Sequence, residues 1–122
     1  MRLPGPDHPI TIAPAPGRVT VSAAGKVIVD SRHALVLREA SYPPVYYFPR
    51  EDAVMDLLDS SDRTTYCPYK GEASYYSIAA LGEAGRDAIW SYETPYSAVA
   101  DIVGCLAFYP DRVTIEAEQA LT

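Results

Sequence analysis

Residues 18–31 read RVTVSAAGKVIVDS, and this stretch decides the fold. Val19, Val21 and Ala23 alternate with polar neighbours, the period of a half-buried strand. Ala24-Gly25 then turns the chain, and Val27 and Val29 continue on the return strand, so a β-hairpin is expected. Outward from it, residues 34–39 read as another strand, with Leu35 and Leu37 on one face and Val36 and Arg38 on the other. Pro43-Pro44 sets the start of a short aromatic strand over 45–48. Residues 73–80 and 86–92 read as two strands around a loop containing Gly82 and Gly85. Residues 105–109 and 112–118 suggest a closing hairpin turned at Pro110-Asp111.

One helix is expected from Pro49 onward. Glu51 and Asp52 would sit in its first turn, where the helix dipole favours carboxylates. Val54, Leu57 and Leu58 give the apolar stripe, and residues 59–62 (DSSD) end it. Residues 97–102 add one or two helical turns. The total is about eight short strands and one or two short helices, which is mainly β: a β-rich barrel or bent sandwich of antiparallel strands. Strands do not alternate regularly with helices, so a doubly wound α/β fold is disfavoured.

The chain has 122 residues, which points to one domain with a real core. Residues 1–16 hold five of the eleven prolines and read as an extended arm, with His8 exposed on it. Residues 17–122 form the β-rich domain. Neither a signal peptide nor a membrane-length apolar run is visible, and a cytoplasmic location is the expectation. The net charge is −6, and the ten basic residues are scattered. Phosphate-backbone binding needs clustered Lys and Arg, so nucleic acid is excluded as a partner; without a basic amphipathic helix, so is a membrane surface. Cys67 and Cys105 read as free thiols. His8 and His33 lack ligand spacing, so no metal and no cofactor is expected.

Ten tyrosines are many for this length, and nine lie between Tyr42 and Tyr96. A phenol offers an apolar ring and a hydrogen-bonding tip, which suits a pocket wall, though tyrosine is also an ordinary strand residue. Tyr69, Tyr75, Trp90 and Tyr92 are the candidate wall. The segment TTYCPYKG over residues 64–71 puts a thiol, Cys67, three residues from Lys70, and a nearby ammonium raises the thiolate fraction. The plainer alternative makes Cys67 a packing residue and Lys70 an ion-pair partner of Glu39 or Asp52. Tyr47 and Arg50 lie in a second patch, YFPRED over residues 47–52, where Arg50 could hold a carboxylate or phosphate and Asp52 could act as a base. Helix capping and a surface ion pair would account for the same two residues. Cys-Pro-Tyr-Lys lacks the second cysteine of a redox motif and is followed by a strand, not a helix.

Asp30-Ser31, Glu39, the string YFPRED, Thr65, Cys67-Pro68, Lys70-Gly71, Ala73-Ser74-Tyr75, Trp90-Ser91-Tyr92, Pro95 and Ala107-Phe108-Tyr109 occur in this order. In these residues the chain resembles the bacterial domain-of-unknown-function family 427 over roughly residues 18–115. The resemblance implies a β-tent fold, in which two bent antiparallel sheets meet at an angle. It implies no established activity. Relatives of that fold include zinc modules and methionine sulfoxide reductases, but the paired Cys-x-x-Cys knuckles are missing here. The family also carries a nucleotidyltransferase heading, and the Gly-Ser start and paired metal-binding aspartates of such enzymes are missing too.

Three functions are carried forward. The first is binding of a small molecule in a pocket walled by Tyr47, Tyr69, Tyr75, Trp90 and Tyr92, with Arg50, Lys70, Glu39 and Asp52 as polar contacts. The second is an enzyme with Cys67 as activated thiol, Lys70 beside it, and Asp52 or Glu39 carrying protons. The third is an interaction module, a homodimer through the tyrosine-rich face.

Overall fold

The structure, a computed structural model, describes residues 1–121. The expected hairpin is present: β2 (Val19–Ala23) pairs antiparallel with β3 (Lys26–Ser31), with Ala23 opposite Lys26. Both turn residues have positive φ, 51° at Ala24 and 74° at Gly25, as a tight two-residue β-turn of this hand requires. One detail differs from the simple alternation. A register shift between Val21 and Ser22 buries Ile28 and Val29 in succession and leaves Val27 55% exposed.

Among the described residues ten strands, the hairpin's two included, form three antiparallel sheets. The first joins β1 (Ile10–Pro14), β4 (Leu35–Glu39) and β5 (Val45–Tyr47), so part of the proline-rich segment is itself a strand. The second adds β10 (Thr114–Ala117) to the outer side of β2. The third orders β6 (Leu58–Cys67), β7 (Gly71–Ile78), β8 (Ile89–Ser91) and β9 (Ala107–Phe108) side by side. The protein is therefore mainly β, with short 3-10 turns between strands. Among the described residues no helix is long and apolar enough to cross a membrane.

Two expected elements come out differently. The helix after Pro49 is replaced by two 3-10 turns, Arg50–Asp52 and Met55–Leu57, separated by extended backbone. Here the edge of β3 outcompetes helical propensity: Ala53 bridges Val29, and the Val54 N–H donates to the Ile28 carbonyl at 2.8 Å. The polar run after Leu58 then becomes an exposed edge strand, where charged side chains protect unpaired backbone. The closing hairpin also dissolves. The chain does turn after Tyr109, but β9 pairs with β8 and β10 with β2, in different sheets.

Two cores result. One holds Val19, Val21, Val29, Val36 and Phe48; the other holds Leu37, Tyr47, Tyr75, Tyr92, Ile102 and Ala107. Val36 and Leu37 are neighbours on β4 yet feed different cores, because successive side chains leave a strand on opposite faces. The first and third sheets are joined by backbone: Phe48 and Leu106 exchange two hydrogen bonds of 2.8 Å. The second core draws on both of these sheets, with Leu37 and Tyr47 from the first and Tyr75 and Ala107 from the third.

Candidate functional site

The β6–β7 connection fixes the first polar group. Pro68 presets a turn in which the Lys70 N–H donates to the Cys67 carbonyl at 3.2 Å. Gly71 leaves the turn at φ +109°, a conformation L side chains rarely adopt. The Lys70 carbonyl then accepts from the Tyr96 N–H at 3.0 Å. Held at both ends, Lys70 is buried, and its ammonium donates to Glu39 Oε1 at the end of β4. The other carboxylate oxygen of Glu39 is 2.7 Å from His8 Nε2. Burial pushes the Glu39 carboxyl up, but hydrogen bonds from Lys70 and His8, with their charges, outweigh it and hold Glu39 below its ordinary value.

Aromatic rings stand over this pair. Tyr75 on β7 lies opposite Trp90 on β8. The Trp90 indole N–H donates to the Tyr47 hydroxyl at 3.2 Å, edge to face with that ring. Tyr75 shares its hydroxyl with Thr65 at 3.0 Å and Tyr109 at 3.5 Å. Glu39, Lys70, Tyr47, Tyr75, Trp90 and Tyr92 line one cavity of about 280 Å³. Sequence reasoning missed its remaining lining, Leu37, Tyr42, Pro43, Val45 and Tyr109. It also missed His8, which is half-buried and stacked on Tyr69 at 3.9 Å, not exposed on a free arm. The leader offered no periodicity that would have found it.

Tyr92 differs from the other buried phenols. It is 7% exposed, it lines the cavity, and its hydroxyl has no hydrogen-bond partner among the described residues. Burial pushes its pKa, and that of Tyr47, far up, so both are neutral phenols at any physiological pH. Desolvation and the hydrogen bond with Tyr75 push Tyr109 up to about 12.

The remaining predicted site residues are not brought to this cavity. Arg50 is consumed in bracing. Its Nε donates to the Gly104 carbonyl at 2.7 Å, and its terminal nitrogens donate to Tyr76 at 2.7 Å, Ser91 at 3.1 Å and Glu93 at 2.9 Å. Asp52 accepts from the Ser31 hydroxyl at 2.6 Å and lies 3.9 Å from His33, so it is no partner of Lys70. Tyr69 lines a shallow surface with the N-terminal segment. Cys67 is half-buried and free, with Sγ 3.8 Å from Lys70 Nζ, but it does not line the cavity. No group of three His, Cys, Asp or Glu residues among the described ones could hold a metal ion.

Chemically, both Glu39 oxygens are engaged, whereas the Lys70 ammonium has three protons and one strong acceptor. The cavity thus presents aromatic faces, a spare ammonium proton and a spare phenol. No curated protein matches the chain. Residues 11–119 match the family described as "Domain of unknown function (DUF427)", headed NTP_transf_9, and since the match spans nearly the whole chain, the protein belongs to that family.

Proposed function

We propose that the protein binds a small neutral organic molecule in the cavity between Trp90 and the Glu39–Lys70 pair. The observation that carries this reading is the Tyr92 hydroxyl. It has no hydrogen-bond partner among the described residues, yet it is not a sealed polar atom, so it stands open at the cavity as a donor and acceptor for a bound molecule. A ligand acceptor atom would satisfy Tyr92 and the spare proton of Lys70 together, while the rings cover its apolar body. Glu39 beside that position disfavours an anion, so the acceptor is a neutral oxygen such as a carbonyl. The two free thiols support placing the protein in the cytoplasm.

The test is a panel of neutral carbonyl compounds, from acetone and acetamide to cyclohexanone, followed by Trp90 emission and melting temperature. Binding is expected to shift both and to weaken in Tyr92→Phe. A panel that moves neither signal overturns the reading.

The 3.8 Å contact between Lys70 Nζ and Cys67 Sγ favours a second reading, a reactive thiol. Its test is pH-dependent alkylation of Cys67 with Cys105 replaced by serine. An activated thiolate would react well below pH 8 and lose that reactivity in Lys70→Met, whereas a thiol that reacts only above pH 8 overturns it.

A further inference from the structure

The chain has two lysines, and they stand in opposite settings. Lys26 is exposed at the start of β3, whereas Lys70 is buried against Glu39. Hydrogen bonding to a ligand leaves one property of Lys70 unused: its nitrogen is a nucleophile once it loses a proton. The cavity that Lys70 lines supplies what an amine needs to react with a carbonyl. Glu39 touches Nζ and can take a proton from it. The other carboxylate oxygen is 2.7 Å from His8 Nε2, which holds the group in place. The Tyr92 hydroxyl lines the same cavity as a neutral phenol without a partner among the described residues.

We propose that Lys70 forms a reversible imine with a small aldehyde bound in this cavity, with Glu39 moving the protons and Tyr92 holding the aldehyde oxygen. The inference rests on the reading of the polar cavity given above and adds to it a covalent step and the class of carbonyl. The step balances without an outside reagent. One Nζ proton passes to Glu39 Oε1, which turns the ammonium–carboxylate pair into an amine and a carboxylic acid. Glu39, held below its ordinary value, takes this proton uphill, but a neutral ligand that displaces water disfavours both charges and brings the neutral pair within reach. The Nζ lone pair then bonds to the carbonyl carbon, and the C=O π pair moves onto oxygen, where the Tyr92 hydroxyl stabilises the developing charge. A second Nζ proton moves to that oxygen and gives the carbinolamine. The C–O bond breaks as the nitrogen lone pair forms C=N, and the oxygen leaves as water with the proton Glu39 had taken. The protonated imine carries the one positive charge the ammonium carried, and Glu39 is again a carboxylate beside it. The buried charge is the same before and after, so the resting ion pair also neutralises the product. An aldehyde is favoured over a ketone because its carbonyl carbon bears a single substituent, and Tyr47, Tyr75 and Trp90 wall a cavity of only about 280 Å³.

The experiment incubates the full chain with propanal and sodium cyanoborohydride, which reduces an imine to a stable secondary amine, and locates the alkyl group by peptide mass mapping. Lys26 and the N-terminal amine serve as internal references for exposed amines. A buried, ion-paired lysine with no part in such a reaction is labelled more slowly than these. Lys70 is expected instead to be labelled about tenfold faster than Lys26. Tyr92→Phe is expected to slow labelling of Lys70 about tenfold and to leave that of Lys26 unchanged. Glu39→Gln should slow Lys70 further; because it also removes an ion pair, Tyr92→Phe decides alone where that variant does not fold.

The outcomes keep the two levels apart. Lys70 labelled no faster than Lys26, while acetone and acetamide still shift Trp90 emission, overturns the imine and leaves the binding site standing. Fast labelling of Lys70 that is equal in Tyr92→Phe also overturns it, since the aldehyde is then not held by the phenol. Labelling undiminished in folded Glu39→Gln removes Glu39 as the proton carrier and overturns the step as written. Neither labelling of Lys70 nor any response to the carbonyl panel removes the binding site and the imine together.

Discussion

Glu39 and Lys70 are 31 positions apart in sequence and form a buried ion pair in which the carboxylate has a second partner, His8. Removing one member of such a pair leaves a desolvated charge, and the cost exceeds what the pair itself contributes. Lys70→Met and Glu39→Gln are each expected to destabilise the fold by about 3 kcal/mol. The double variant is expected to lose clearly less than the sum. Denaturant titration of the four proteins checks this, and strict additivity would mean the two side chains do not interact.

Acid should weaken the fold through the same carboxylate. The Glu39 pKa is held below its ordinary value of 4.5, so the folded state binds its proton more weakly than the unfolded chain. The stability this contributes is fully present above the ordinary value and is lost as the pH falls through the lower, folded value. A plot of stability against pH should slope downward below about pH 4.5. Glu39→Gln should reduce that slope, as denaturant melts between pH 3 and 6 would show.

Tyr92→Phe is expected to leave the fold as stable as before or to raise its stability by up to about 1 kcal/mol, because the hydroxyl it removes has no partner to lose. The same substitution at Tyr75, whose hydroxyl is bonded to Thr65, should cost about 1 kcal/mol. Thermal melts of the two variants give the comparison. Equal losses at both positions would show that Tyr92 is also engaged within the protein.

Ala24 holds a left-handed backbone conformation, φ 51°, at an exposed turn position. Asparagine tolerates that conformation better than alanine. Ala24→Asn is therefore expected to stabilise the chain by about 0.5–1 kcal/mol, read as a rise in melting temperature without any change in ligand binding.

Arg50 connects the loop after β5 to β7, β8 and the 104 turn through one planar fork. Lysine cannot reproduce that geometry, so Arg50→Lys should cost about 2 kcal/mol although the charge is kept. Loss of ligand affinity without loss of stability would instead return Arg50 to the binding site.

The strands were legible wherever a single neighbour decides conformation, as in the Val19–Ala23 alternation. They were not legible where distant backbone competes. The spacing of Val54, Leu57 and Leu58 suits a helix, yet the free edge of β3 draws residues 53 and 54 into extended structure. For the site, Glu39, Lys70, Tyr47, Tyr75, Trp90 and Tyr92 could be named from their clustering along the chain. Nearness in sequence misled for Tyr69, which adjoins Lys70 but stacks on His8 outside the cavity. It misled likewise for Arg50 and Asp52, whose polar groups were free on paper and are saturated by Gly104, Ser91 and Ser31 in the fold.

The reciprocal bonds between Phe48 and Leu106 bear on how selective the proposed ligand site can be. Tyr47 stands on one side of that seam and Trp90, Tyr75 and Tyr92 on the other, so the spacing of the rings is set by main chain together with the Trp90–Tyr47 hydrogen bond that crosses it. A rigid aperture of this kind discriminates by thickness. For the ligand site proposed above, flat or slender molecules should therefore enter at little cost, and bulky isosteres with the same polar groups should be turned away before any hydrogen bond is made.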